Sequence, residues 1–119
     1  MLADRLAWLL LAAIHAMPAL ALFRPALLTR LYGAVPGDSA YLLLQHRAAL
    51  FLVVVIVAIW AALDPAVRRL SVVAVGVSML SFLALYADAG RPSALRTIAV
   101  ADLAGVVPLL FVAWGAWVR

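Results

Sequence analysis

Four long apolar runs, separated by short polar breaks, dominate the pattern of this chain. Each run has about the ~20 residues that an α-helix needs to cross the ~30 Å hydrocarbon layer of a bilayer. With the capping signals of the breaks included, the predicted helices cover residues 4–23, 40–63, 65–88 and 93–118. We therefore expect a single transmembrane domain over residues 1–119. It is an all-α, four-helix bundle with antiparallel up-down topology and both termini on the same side.

The polar breaks contain residues that commonly begin and end helices. Asp64-Pro65 supplies an N-cap followed by proline at the first helical position, and Asp88-Ala89-Gly90 ends the same helix with a glycine. The first break is longer, and its residues 25–32 place leucines on one side, with Arg24 and Arg30 free to reach headgroups. This pattern predicts a short helix lying in the membrane interface and closed by Gly33, with an irregular loop as the alternative.

The first apolar run also has features of a secretory signal. Arg5 precedes the apolar residues, and Ala19-Leu20-Ala21 has the small-x-small pattern of a cleavage site. We expect the run to be a retained first helix instead. Met17-Pro18 should bend or loosen it, because proline cannot donate a backbone hydrogen bond and crowds the preceding turn.

Composition agrees with a membrane location and excludes several classes of function. The chain is 70% hydrophobic and 12% charged, whereas soluble domains are about half apolar and a quarter charged. It contains no cysteine, which excludes disulfides, thiolate metal sites and thiol chemistry. Its basic residues are all arginines, and nearly all lie at the ends of apolar runs. There the expected acidic partner is lipid phosphate and not nucleic acid. We expect a multi-pass protein of the bacterial cytoplasmic (inner) membrane.

Charge does not determine the orientation in the membrane. The side that would hold the termini and the break after the second helix, called side A, carries four arginines. Side B, with the other two breaks, also carries four, so the positive-inside rule gives a tie. The four tryptophans fall near side A and the three tyrosines near side B. Because amphipathic rings favour the interface, this distribution supports the helix boundaries.

Two charged residues lie inside the apolar runs and call for an explanation. Arg47 belongs to the second run and Asp102 to the fourth, and each would cost about 2.5–3.5 kcal/mol in hydrocarbon even on the lenient insertion scale. At 1.5 Å per residue they lie roughly 9 Å and roughly 7–8 Å below side B. We therefore expect a buried ion pair between Arg47 and Asp102. It either locks the second and fourth helices together or lines a polar pocket open to side B. The remaining alternative is that Arg47 snorkels to the headgroups.

Neighbouring polar residues complete a candidate polar core, which serves either ligand binding or structure. Its members are His15, Gln45, His46, Arg47 and Asp102. The simplest interpretation of each histidine is a neutral imidazole hydrogen-bonded to a neighbour. The alternatives are axial ligation of a b-type haem by His15 and His46, or a proton relay or quinone-headgroup site formed with Asp102. These residues identify no cofactor and no metal site.

The polar triplet lies within LLQHRAALF at residues 43–51, followed by VSMLSF at 77–82 and LRTIAVAD at 95–102. Together these segments resemble a group of small bacterial four-helix integral membrane proteins of uncharacterised function. The resemblance implies a fold and no particular activity. Some members carry the label phosphopantetheine adenylyltransferase, but the His-x-Gly-His motif of that soluble enzyme is missing here. The architecture is also loosely similar to DoxX-like membrane proteins.

The expected function is non-enzymatic. Small multidrug exporters depend on a membrane-embedded glutamate and eicosanoid-type membrane enzymes on a Glu-Arg pair, and this chain has no glutamate. We expect it to bind a lipid-like or quinone-like ligand, or a partner membrane subunit, through the Arg47 and Asp102 pair. Membrane lipids, a homo-oligomer or a larger membrane complex are the expected partners. The alternatives are an oligomeric proton-coupled small-molecule transporter with His15 and Asp102 as protonatable sites, and a b-type haem protein.

Overall fold

Helices account for all the regular structure of the molecule. The computed structural model describes residues 1–119 and contains no strand. Short 3₁₀ turns at Pro65–Val67 and Ser93–Leu95 lead directly into the last two long helices. The five α-helices are α1 (Leu2–Leu20), α2 (Ala26–Tyr32), α3 (Ser39–Leu63), α4 (Arg68–Asp88) and α5 (Arg96–Val118). All but α2 are long and apolar enough to cross a membrane.

Local sequence accounts for where these helices begin and end. Asp64 separates α3 from the following turn, and its Oδ1 accepts a hydrogen bond of 2.9 Å from the Ala66 amide, with Pro65 at the first position of the turn. α2 lies within residues 25–32 and ends at Gly33, whose φ of 67° is the left-handed conformation that glycine adopts without strain. α1 ends at Leu20 and not at residue 23. Pro18 lies in its last turn, where it supplies no backbone donor.

The four long helices form a ring in the order α3, α1, α5, α4, and α1 makes the most extensive contacts. α1 packs most extensively against α3 and also against α5, and α4 packs against α5 and only loosely against α3. The pair α3 and α5 is not among the packed neighbours. The sequence-based expectation that these two helices pack against each other is therefore wrong. Helical periodicity places a residue on a face, but it does not say which helix covers that face.

The tightly packed part of the molecule is narrow and consists mostly of apolar side chains. Only 25 of the 119 residues are buried, so most of the leucine and valine side chains point outward. Such a surface suits a hydrocarbon environment and would be unfavourable in water. The main core cluster comprises Trp8, Leu11, Ala12, Ala58, Ala61, Ala62, Val72, Val75, Met79, Leu109 and Val112. A smaller cluster of Ala21, Leu28 and Ala48 attaches α2 to the ends of α1 and α3.

Candidate ligand-binding site

Arg47 is held within α3 by aromatic rings from three helices. Its guanidinium carbon lies 4.7 Å from the ring centroid of Phe51, 5.4 Å from that of Phe82 and 5.5 Å from that of Tyr32. Phe51 is one turn further along α3, Phe82 belongs to α4, and Tyr32 is the last residue of α2. A cation over an aromatic face gains about 0.5–2 kcal/mol, more where water is excluded. The rings therefore offset part of the cost of placing a cation at this depth.

The ion pair expected between Arg47 and Asp102 is not formed. The ion pairs of the molecule all involve Asp4, and no carboxylate or carbonyl oxygen accepts a hydrogen bond from Arg47. Arg47 lies on α3 and Asp102 on α5, which do not pack against each other. Matching depth along two helices is therefore insufficient for contact, because the helices must also be neighbours.

Asp102 and His15 are buried together in the interior between α5 and α1. Asp102 is 5% exposed and His15 is 1% exposed, and both His15 and Arg47 lie within electrostatic range of the carboxyl of Asp102. His15 Nδ1 lies 2.8 Å from the carbonyl oxygen of Leu11, one turn earlier, which favours the tautomer protonated at Nδ1. His15 Nε2 is buried and has no partner. The imidazole also packs against Phe51, with 5.8 Å between ring centroids.

The other two predicted site residues, Gln45 and His46, are less buried than His15 and Asp102. Gln45 is half-buried, and His46 is exposed on the outside of α3. Phe51, which faces His15, follows His46 by five residues, so the two side chains leave the helix roughly 140° apart. The structure therefore brings His15, Arg47 and Asp102 into one region but does not bring His46 to it. The molecule has no cluster of three or more histidine, cysteine or acidic side chains suited to a metal ion.

A groove between α3 and α4 begins at Arg47. Its volume is about 380 Å³, within the range of roughly 300–1,000 Å³ typical of small-molecule sites. Most of its wall is apolar, and its polar groups are the guanidinium of Arg47 and the hydroxyls of Ser78 and Ser81. The lining residues are Arg47, Leu50, Phe51 and Val54 of α3, and Ala74, Val77, Ser78, Ser81, Phe82 and Leu85 of α4.

A second cavity meets the groove at Arg47 and Phe82, which line both. It has a volume of about 500 Å³ and lies under α2 and the break before α5. Tyr32 is part of its wall. Burial raises the pKa of the Tyr32 phenol above its ordinary value of 10.0, although the nearby positive charge of Arg47 acts in the opposite direction. Arg47 thus stands where two largely apolar cavities meet, and its guanidinium is the charged group in both.

No family model, no curated protein and no solved structure matches this chain. The geometry of the groove therefore carries the functional assignment.

The guanidinium of Arg47 is the group in the groove best suited to hold a ligand. Ser78 and Ser81 are the only hydroxyls of the groove, and no histidine or carboxylate lines it to act as a base for either of them. The Ser81 hydroxyl instead donates a hydrogen bond of 3.4 Å to the carbonyl oxygen of Ser78. By contrast, the guanidinium of Arg47 has five N–H donors suited to an anionic or carbonyl oxygen. Such a group at one end of an apolar groove suits an amphiphile.

Sequence reasoning missed a second charged cluster, which is centred on Asp4. This residue is 7% exposed. Its Oδ1 lies 2.7 Å from Nη2 of Arg119, and its Oδ2 lies 3.7 Å from Nη1 of Arg68 and 3.8 Å from the Met1 amine. The sequence did contain a signal for this cluster, because Asp4, at the start of the first apolar run, lies on side A together with Arg68 and Arg119. Phe51 also had a signal, since it lies one helical turn from Arg47.

Proposed function

We propose that this chain is a non-enzymatic membrane protein that holds a lipid-like or quinone-like molecule in the groove between α3 and α4, with the polar head of the ligand at Arg47. One observation carries the proposal. The guanidinium of Arg47 has no carboxylate or carbonyl partner within the chain, and it lies between rings at the end of an apolar groove. An arginine inside a membrane domain needs an acceptor for its donors, and a bound headgroup supplies one.

The shape of the groove fits a ligand that enters from the bilayer. Leu50, Val77 and Leu85 line the groove and are each more than half exposed, so the groove opens sideways between α3 and α4. An acyl or isoprenoid tail would lie against these side chains, and the head would reach Arg47 from the cavity shared with Tyr32. An apolar helix of a partner subunit, or of a second copy, would use the same opening without needing a polar head.

The proposal places the chain across the bacterial inner membrane as an antiparallel up-down bundle with both termini on one side. The contact between Arg119 and Asp4 supports this arrangement, because it joins the last residue to the start of α1. Two further hydrogen bonds at this end point the same way. Arg68 at the start of α4 donates to Ala61 near the end of α3, and Arg69 donates to Ala116 near the end of α5.

A binding measurement with two probes tests the proposal. The protein in detergent is titrated with a fluorescent polyene fatty acid and, separately, with a short-chain benzoquinone. The wild-type chain should bind at least one probe, and Arg47→Gln should weaken binding about tenfold or more, since hydrogen bonds to charged groups contribute about 1.5–3 kcal/mol. Arg30→Gln, which removes an exposed arginine from α2, is the matched control and should leave binding unchanged. Equal binding by wild type and Arg47→Gln would contradict the proposal.

A second candidate function, proton-coupled transport by an oligomer, is favoured by the unpartnered Nε2 of the buried His15 beside the buried Asp102. Two protonatable groups in the bundle interior are typical of proton pathways. Under this candidate, Asp102→Asn abolishes pH-driven uptake into vesicles, whereas ligand binding at Arg47 does not depend on a pH gradient. The b-type haem alternative has less support, because His46 is exposed on a different face of α3 from the one near His15.

A further inference from the structure

A cavity at the end of the molecule opposite α2 is lined by more positive than negative charge. It has a volume of about 550 Å³, and it lies where α1 and α4 begin and where α3 and α5 end. Three guanidiniums, those of Arg68, Arg69 and Arg119, line it together with a single carboxylate, that of Asp4. We call this cavity the Asp4 bowl. A larger share of its wall is polar than in the groove at Arg47.

The arginines of the Asp4 bowl have different tasks. Arg119 neutralises Asp4 through a contact of 2.7 Å that closes one wall. Gly115 permits this pair, since a Cβ there would lie 2.6 Å from Nη2 of Arg119 and 3.1 Å from Oδ1 of Asp4. Arg68 adds a longer contact of 3.7 Å to the same carboxylate. Asp4 is therefore already compensated, and positive charge remains in the bowl.

Arg68 and Arg69 are held in place by their Nε atoms. Nε of Arg68 donates to the carbonyl oxygen of Ala61 at 2.8 Å, and Nε of Arg69 donates to that of Ala116 at 3.0 Å. Both terminal nitrogens of Arg69 remain without an acceptor in the chain. In Arg68, Nη1 contacts Asp4 and only Nη2 remains without an acceptor. Anchoring through Nε removes much of the rotamer freedom that an exposed arginine would lose on binding. The fixed fork of Arg69 is suited to bidentate binding of a phosphate, and Arg68 can add a single contact.

The surroundings of the bowl indicate the source of the phosphate. Trp60 of α3, and Trp114 and Trp117 of α5, lie near the same end and are each more than half exposed. Exposed tryptophans at the ends of apolar helices mark the headgroup level of a bilayer. We infer that the Asp4 bowl binds the phosphate of an anionic membrane phospholipid through Arg68 and Arg69, at a site separate from the groove at Arg47.

Native mass spectrometry of the protein released from detergent micelles tests this inference. The micelles contain phosphatidylglycerol in one arm, phosphatidylcholine in a second arm, and phosphatidylglycerol with excess inorganic phosphate in a third. The wild-type protein should retain phosphatidylglycerol at least about tenfold more than phosphatidylcholine, and inorganic phosphate should not displace it. Displacement by inorganic phosphate would identify a free-phosphate site and overturn the lipid assignment.

Two substitutions that each remove one positive charge distinguish lipid binding in the bowl from general attraction to the membrane surface. Arg69→Gln should reduce phosphatidylglycerol retention about tenfold, by the loss of charged hydrogen bonds. Arg5→Gln removes an exposed arginine beside Asp4 that does not line the bowl, and it should leave retention unchanged. Equal losses in the two variants, or no loss in either, would overturn the inference.

A third variant and the groove provide independent checks. If Arg69→Gln fails to fold, Arg69→Lys keeps the charge and loses the fork, and it should still reduce retention by severalfold. Unchanged retention in a folded Arg69→Lys protein would show that the fork is not used. Arg47→Gln separates the two sites: phosphatidylglycerol retention that is lost in Arg47→Gln and unchanged in Arg69→Gln would place the lipid in the groove and overturn this inference, whereas loss in Arg69→Gln supports the bowl whether or not the groove binds.

Discussion

At the scale of single residues, Arg47 and Asp4 show two ways of keeping a charge inside an apolar helical protein. Asp4 is compensated within the chain by Arg119 and Arg68. Arg47 is surrounded by ring faces, which favour the cation but accept no strong hydrogen bonds, and the polar group beside it is the phenol of Tyr32. The first arrangement is complete and contributes to stability. The second leaves donors free for a ligand.

Removal of the charge at Asp4 should destabilise the fold. Asp4→Asn leaves Arg119 and Arg68 without their negative counter-charge, and we expect a loss of about 1–3 kcal/mol in the free energy of unfolding, since Arg119 is partly exposed. Thermal unfolding in detergent measures this loss. Asp88→Asn is the control, because Asp88 is exposed and unpaired. Equal midpoints for Asp4→Asn and wild type would show that the cluster adds nothing to stability.

Ionisation of Tyr32 should occur at higher pH than that of an ordinary tyrosine. Burial raises the pKa of its phenol above 10.0 in the folded protein, so the folded state retains this proton after the unfolded state has lost it. The contribution of Tyr32 to stability is therefore constant below pH 10.0 and falls as the pH rises above it. Phenolate absorbance of wild type minus that of Tyr32→Phe isolates this titration. A midpoint at or below 10.0 would contradict the burial of Tyr32.

At the scale of elements, local chemistry predicted where the helices begin and end far better than which helices pack against each other. The break at Asp64-Pro65 and the end of α2 at Gly33 follow from backbone preferences carried by a few adjacent residues. The packing of α3 against α1, and not against α5, depends on complementary surfaces distant in sequence. For this reason the depths of Arg47 and Asp102 were calculable from helical rise, while the ion pair derived from them was wrong. The ring of Phe82 beside Arg47 was also beyond sequence reasoning, since it depends on α4 approaching α3.

Gly105 lies at a tight contact between helices, whereas Gly76 lies beside open space. A Cβ at Gly105 of α5 would lie 2.7 Å from Met79 Cε and 3.1 Å from Ile14 Cδ1, whereas a Cβ at Gly76 of α4 would meet nothing within 4 Å. Gly105→Leu should therefore lower the free energy of unfolding by about 1–3 kcal/mol through overpacking. Gly76→Leu should leave it unchanged or raise it by up to about 1 kcal/mol, because leucine favours helix. Thermal unfolding of the two variants in one detergent checks the difference, and equal shifts would contradict the packing of α5 against α1 and α4.

At the scale of the whole molecule, the two ends have different chemistry. One end carries the Asp4 bowl with its arginines and nearby tryptophans, and the other carries α2, Tyr32 and the cavity that leads to Arg47. The apolar runs and the balance of arginines were evident from the sequence, but this division of binding chemistry was not. It arises because the ring of helices brings together residues more than forty positions apart, as with Arg69 and Ala116.

The proposed topology can be tested directly because the chain has no cysteine of its own. Single cysteines at Ala3 and Ala66 should react with a membrane-impermeant maleimide from one side of sealed vesicles. Cysteines at Ser39 and Ser93 should react only from the other side. All four positions are exposed. Labelling of Ala3→Cys and Ser39→Cys from the same side would contradict a first helix that crosses the membrane.

The central claim, that the α3–α4 groove holds an amphiphile with its head at Arg47, is tested most directly by photo-crosslinking. The protein is irradiated in micelles with a fatty acid that carries a diazirine in its tail, and the labelled positions are located by peptide mass spectrometry. We predict labels on groove residues such as Leu50, Val54 and Val77, and their loss in Arg47→Gln. Labels spread evenly over the exposed leucines of all four long helices, and unchanged by Arg47→Gln, would contradict the claim.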